Sequence, residues 1–258
     1  MMTTIYPPKS TSNKNTPYHR NGRPRPTAHN PSLHFFRQSD LLINIDDSDL
    51  DCIASEFKQF DYTARDVIFA QGDPGDKLYL IKTGQVRIFI NGLDGSETSV
   101  ILFGRPGQIF GELAIIDGLP RSASAIAMTD TTVYTLSSAR FRDLTRQYPQ
   151  LAFNFMQILS AKVRYNTRQV DSLASLDVPR RFARKLLELG QNYGTVVDDG
   201  VRINTKLTQS HLASLVMTTR ESINKVLRTF RKNGWVKLDG HHIIILDVPA
   251  LRQQAATV

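Results

Sequence analysis

Two stretches hold side chains whose types and spacing could do chemistry. The first is Phe110-Gly111-Glu112-Leu113-Ala114-Ile115-Ile116-Asp117-Gly118-Leu119-Pro120-Arg121-Ser122-Ala123. Gly111 lets a backbone N–H approach an anion, Arg121 can neutralise a phosphate, and Ser122 adds a neutral donor. Glu112 would repel that phosphate unless it accepts hydrogen bonds from a sugar hydroxyl, so an anion pocket makes it a ribose ligand. The same letters also fit a strand, a turn and an ion pair between Glu112 and Arg121, and the residues alone leave both readings open.

The second stretch is Thr219–Lys232. Ile223, Val226, Leu227 and Phe230 fall at i, i+3, i+4 and i+7, so one stripe faces a core. Arg220, Glu221, Asn224, Lys225 and Arg228 lie opposite. Arg and Lys can donate to guanine O6 and N7, and Glu can accept from cytosine N4. A first turn carrying Arg220 and Glu221 is where a DNA-reading helix meets base edges.

Charge is distributed to match. Residues 1–39 carry six Lys or Arg and no acid, residues 40–177 carry 13 basic and 18 acidic residues, and residues 178–258 carry 13 and 6. A basic C-terminal third beside an acidic middle points to a polyanion at one end.

The elements that must position these residues follow from periodicity. Residues 1–32 hold six of the 12 prolines and few large apolar side chains, so they read as a disordered basic arm, taken to residue 39. A short amphipathic helix is expected at Asp46–Phe57. Strands follow at Val67–Phe69, Leu78–Lys82, Gln85–Ile90, Thr98–Phe103, Ile109–Phe110, Ser124–Ala127 and Thr132–Leu136. Turn signals separate them, Asp94-Gly95 and Asp117-Gly118 among them, which argues for an antiparallel β-roll or sandwich over residues 40–148.

A helix at Ser138–Gln147 leads to Pro149, and a second helix should run from there to about residue 176. In it Met156, Leu159, Val163, Asn166, Val170 and Leu173 recur at spacings of 3, 4, 3, 4 and 3, a coiled-coil seam whose simplest partner is a second copy of the chain. From residue 177 to 258 the pattern predicts a helix at Arg180–Leu189, another at Gln209–Val216 capped by Thr208, and the basic helix. Thr218-Thr219-Arg220-Glu221 reads as a capping box for that last helix. Trp235–Leu238 and His242–Leu246 flank Asp239-Gly240 as a tight hairpin, completing a winged helix-turn-helix in an α+β chain.

The glycine-to-serine segment resembles the phosphate-binding cassette of cyclic-nucleotide-binding domains. Together with the long helix and TTRESINKVLRTFRKNG, it resembles the cyclic-AMP receptor protein branch of the Crp/Fnr transcription-regulator superfamily, over about residues 41–247. That resemblance implies an N-terminal β-roll holding the nucleotide, a dimerisation helix, a palindromic TGTGA-like operator, and double-stranded DNA and RNA polymerase as partners. Carried over, Gly111 is the cassette glycine, Glu112 the ribose acid, and Arg121 with Ser122 the cyclic-phosphate pair. Asn166 and Thr167 stand where the family places a base-contacting Thr-Ser pair. Asn166 offers adenine one donor and one acceptor, so cyclic AMP fits as the allosteric ligand. Cyclic GMP, cyclic di-GMP or no ligand are the alternatives. Arg220 and Glu221 match the base-reading pair, Lys225 replaces a second Arg, and Thr208 and Thr219 match phosphate-contacting hydroxyls. Met217 takes the usual glycine of the helix-turn-helix turn, which must strain or reshape it.

Other chemistries fit poorly. A single cysteine, Cys52, excludes an internal disulfide, a CxxC zinc site and a four-cysteine cluster. Beyond residue 32 the histidines are His34, His211, His241 and His242, none inside the roll, which leaves neither haem ligands nor a phosphodiesterase metal cluster. Ser210 and His211 are helix neighbours pointing apart, not a nucleophile–base pair. No catalytic site and no metal are expected. With no apolar run of membrane length and no signal-peptide block in the first thirty residues, a cytoplasmic regulator is expected.

Overall fold

The computed structural model describes residues 25–26, 33–92, 97–240 and 242–256. The Asp94-Gly95 turn, His241 and nearly all of the basic arm lie outside the described residues. Arg25–Pro26 forms β1. The helices α1 (Leu33–Arg37) and α2 (Asp47–Ser55) follow, then β2 (Lys58–Tyr62), β3 (Val67–Phe69), β4 (Lys77–Thr83), β5 (Val86–Asn91), β6 (Glu97–Phe103) and β7 (Ile109–Phe110). A short helix α3 (Leu113–Asp117) interrupts the strands before β8 (Ser124–Ala127) and β9 (Thr131–Ser137). Two facing antiparallel sheets result, ordered β1-β2-β9-β4-β7 and β3-β8-β5-β6. This is the expected roll, with β2 and β1 added at one side.

The arm ends earlier than residue 39. Phe36 in α1 is fully buried and meets the rings of Phe57 and Tyr134, while Leu41 and Leu42 join the same core. Aromatic burial of that size offsets the ordering entropy of a five-residue helix, which the basic composition upstream had obscured.

Helix α4 (Ser138–Gln147) is capped by the Ser137 side chain, and α5 (Pro149–Ser175) starts on its proline. At 1.5 Å per residue α5 is roughly 40 Å long. Its first turns are anchored in the roll through buried Leu151, Asn154 and Phe155, with Asn154 donating to the carbonyls of Leu41 and Ile43. Further along, Met156, Val163 and Val170 are 56%, 64% and 65% exposed, so the seam projects from the folded chain.

Asp177 caps α6 (Val178–Tyr193). The hairpin of β10 (Gly194–Val197) and β11 (Gly200–Ile203) precedes α7 (Gln209–Leu215) and α8 (Arg220–Lys232). Then come β12 (Val236–Asp239), β13 (His242–Ile245) and a final helix α9 (Val248–Ala255). The wing is a four-stranded sheet, β10-β11-β13-β12, rather than a lone hairpin. Apolar faces of α6, α7, α8 and α9 close on it through Phe182, Leu212, Ile223, Phe230 and Leu251. No helix among the described residues is long and apolar enough to cross a membrane.

Candidate functional site

A cavity of about 570 Å³ opens between the roll and α5. Gly111, Glu112, Arg121, Ser122 and Asn166 all line it, and Phe69, Ile88, Ile101 and Phe103 supply an apolar wall. Thr167 is not among its lining residues. It is exposed on α5, its hydroxyl donating to the Val163 carbonyl at 3.1 Å.

Local backbone explains how the cassette is built. Gly111 has φ of 73°, and a Cβ there would come within 2.8 Å of Arg121 Nη1, so only glycine lets the guanidinium slide beneath the loop. Gly75 matters likewise: a Cβ would lie 2.2 Å from that of Ala114. Helix α3 closes on Gly118 in the left-handed region and carries the chain back to Arg121. Arg121 is 4% exposed. Nη1 donates to the Gly111 carbonyl at 2.6 Å, Nη2 donates to the Lys77 carbonyl at 2.8 Å, and the guanidinium lies 4.3 Å from the Phe69 ring centroid. Its Nε is buried without a hydrogen-bond partner. A cation oriented by two neutral carbonyls, with its Nε–H unpartnered, is chemistry that suits an anion.

Glu112 does not pair with Arg121. Its Oε1 lies 2.9 Å from Lys162 Nζ of α5, and that ammonium also donates to the Ile109 carbonyl at 3.0 Å and sits 5.1 Å from the Phe103 ring centroid. Lys162 is the functional side chain that sequence reasoning missed. Its signal was present, since it lies one helical turn before Asn166 on the same face.

The second site lies on α8. Ile223, Val226, Leu227 and Phe230 are buried, while Arg220, Glu221 and Lys225 are exposed. The expected capping box at Thr218–Glu221 is not the one formed. Thr219 is the N-cap, accepting from the Ser222 N–H at 3.2 Å, which puts Glu221 at the second helical position rather than the third. The capping box belongs to α7 instead: Thr208 accepts from the His211 N–H at 3.1 Å, and His211 Nδ1 accepts from the Thr208 N–H at 3.5 Å. Met217, between the two helices, has φ of 50°, so the turn keeps a left-handed residue without glycine. The side chain stays 45% exposed there, and left-handed backbone at such a residue stores roughly 1–3 kcal/mol of strain.

His211 makes a pH prediction. Burial first, then Arg87, hold its pKa below the ordinary 6.5, with Glu97 opposing. Its Nδ1 accepts a hydrogen bond only when that nitrogen is unprotonated. Across the interval between the lowered folded value and about 6.5 the unfolded chain binds more protons, so stability is complete above that interval and declines as pH falls through it. His211→Gln keeps an acceptor at the third helical position and should flatten that decline. Urea melts from about pH 5.5 to 7.5 measure it, and equal slopes in both proteins would remove His211 from the account.

An antiparallel roll with a cation-bearing pocket, a long projecting helix and an exposed basic helix in a winged helix-turn-helix define a ligand-sensing, DNA-binding regulator. Comparison with known proteins agrees. The chain matches the cyclic nucleotide-binding domain over residues 59–148 and the Crp-like helix-turn-helix domain over residues 180–254. It is 32% identical to the CRP-like cAMP-activated global transcriptional regulator of Mycobacterium tuberculosis over 215 residues, 83% of this chain and 96% of that protein. The cyclic AMP receptor protein of Thermus thermophilus is 31% identical over 84% of this chain and 97% of its own length. A solved CRP/FNR-family transcriptional regulator, also from Thermus thermophilus, superposes with a TM-score of 0.66 at 29% identity, covering 76% of this chain and 97% of that one. The chain belongs to the Crp/Fnr superfamily of transcription regulators, carrying a cyclic nucleotide-binding domain and a Crp-like helix-turn-helix, and its relatives are regulators rather than enzymes.

Proposed function

We propose that the protein is a cytoplasmic homodimer that binds cyclic AMP in the cavity between roll and α5 and then reads a palindromic, TGTGA-like operator, engaging RNA polymerase there. The convergence of Gly111, Glu112, Arg121, Ser122 and Asn166 on one cavity, with an open donor on Arg121, carries this reading. Arg121 and Ser122 hold the cyclic phosphate. Glu112 accepts from the ribose hydroxyl once Lys162 yields it, and Asn166 offers its amide to adenine. Thr167, exposed on α5 outside the cavity wall, contacts the partner subunit's ligand in this reading. On DNA, Arg220 donates to a guanine, Glu221 accepts from a cytosine amine, and Lys225 donates as a single ammonium. Thr208 and Thr219, whose hydroxyls cap their helices, contact phosphate.

Mobility shift with and without cyclic AMP, cyclic GMP and cyclic di-GMP tests the ligand, and selection from random DNA tests the operator. Arg220→Ala should weaken binding by roughly 1–3 kcal/mol and relax preference at one base pair, whereas Lys232→Ala at the far end of α8 should only reduce the salt dependence slightly. Enriched sites without a palindrome, or a uniform loss on all sequences for Arg220→Ala, overturn the base-reading assignment.

A further inference from the structure

Asn224 stands on α8 four residues after Arg220 and three after Glu221. At roughly 100° per residue its side chain leaves the helix about 40° from that of Arg220 and about 60° from that of Glu221, between the two. It lies outside the buried stripe of Ile223, Val226, Leu227 and Phe230. Along the helix axis it is about 6 Å from Arg220, a distance of about two base-pair steps. Asn224 therefore falls inside the arc that Arg220 and Glu221 span.

The folded chain gains little from an asparagine there. Its Oδ1 is shielded from solvent and meets no donor among the described residues. A shielded acceptor without a donor is unfavourable, and asparagine is a poor residue for a helix interior because its amide competes with the backbone. Alanine would suit the free protein better. By the same token, no hydrogen bond to Oδ1 has to break when the side chain turns outward, and the torsion that sets the amide plane is soft. The amide carries one acceptor and one pair of donors, which match adenine N6 and N7 in the major groove. Arg220 serves guanine and Glu221 serves cytosine, so a reader for adenine is what the arc otherwise lacks.

We propose that Asn224 is a further base-reading residue. It selects an A·T pair within two base-pair steps of the guanine met by Arg220, with Oδ1 accepting from adenine N6 and Nδ2 donating to N7. This rests on the DNA-reading role of α8 given above.

The test uses the full chain as wild type, Asn224→Ala, Asn224→Asp and Arg220→Ala, with and without cyclic AMP. Sites are selected from random DNA, and the enriched operator then competes against its single-base-pair variants. Replacing the selected A·T pair should lower wild-type affinity about five- to a hundredfold. Asn224→Ala should lose that preference and keep the guanine preference that Arg220 confers. Asn224→Asp lacks the donor for N7 but accepts from cytosine N4, so its preferred pair should shift to one that presents cytosine to α8. Thermal unfolding is an independent readout, since Asn224→Ala should melt no lower than the wild type. Unchanged preferences in Asn224→Ala take the residue out of the groove and overturn the proposal. A uniform loss on every sequence also overturns it, making Asn224 a backbone contact, or a structural residue if the melting temperature falls as well. Enrichment of no site by the wild type overturns the DNA-reading role of α8, and this proposal with it.

Discussion

Arg121→Ala is expected to weaken cyclic-nucleotide binding by about 2–4 kcal/mol, a loss of thirtyfold or more, because a charge-assisted contact in a largely dry pocket has no replacement. The guanidinium is also part of the wall. It donates to the Gly111 and Lys77 carbonyls and stacks on Phe69, so its removal strands two acceptors and opens a gap beneath the loop. The roll should therefore lose about 1–3 kcal/mol of stability as well. Ser122→Ala separates the two effects. Ser122 is exposed at the cavity, so its substitution should cost about 0.5–1.5 kcal/mol of ligand affinity and leave the melting temperature alone. Calorimetric titration beside thermal unfolding reads both quantities. An unchanged dissociation constant in a folded Arg121→Ala protein would take Arg121 out of the ligand site.

Lys162→Met sharpens the contrast with no further assumption about the ligand. Its ammonium and the Glu112 carboxylate are 2.9 Å apart and both are shielded from solvent. Removing only one partner of such a pair leaves a charge without compensation, so the side chain most exposed to misreading in the cassette is the one that the cassette letters do not contain.

What could be read from the sequence was what local chemistry determines. The strands with Gly or Pro punctuation, α4 and the apolar stripe of α8 lie where periodicity put them because each buries one face against a core. Helix α5 spans the expected residues although its seam stays exposed. The cassette residues were singled out through their resemblance to a phosphate-binding cassette, since the letters alone also fitted a strand, a turn and an ion pair. The fold brings Gly111, Glu112, Arg121 and Ser122 to one cavity. Elements were missed where tertiary contact decides. β2 and α1 are held by Phe57, Phe36 and Tyr134 meeting at long range. The β10–β11 hairpin turns at Asp198-Asp199 and survives because β11 pairs with β13 forty residues later. The ion pair between Glu112 and Arg121, nine residues apart, that the letters left open does not form, because the fold delivers Lys162 to Glu112 from another element. The N-cap of α8 falls one residue later than expected, at Thr219, since Thr218 and Thr219 are equivalent as letters and only the backbone distinguishes them.

The seam on α5 makes the other large prediction. Val163 is 64% exposed and Val170 65%, while Leu159 between them and the roll is partly buried against the roll's own core. Val163→Glu therefore probes association with little effect on the fold, where Leu159→Glu would disturb both. In a homodimer the twofold axis brings the two copies of a seam residue together, so a carboxylate there meets its own image across apolar surface. Losing the buried valines and opposing two charges should weaken the dimer by at least about 3 kcal/mol, roughly a hundredfold, and abolish binding to a two-half-site operator with it. Asn166 provides the internal contrast, being at once a seam position and a wall of the ligand cavity. Asn166→Ala should keep the dimer, since a polar residue in an apolar seam costs stability, yet weaken the ligand. Sedimentation velocity with and without cyclic AMP distinguishes the variants. A wild type that stays monomeric at micromolar concentration with ligand present would show that the exposed valines serve something other than a second copy of the chain.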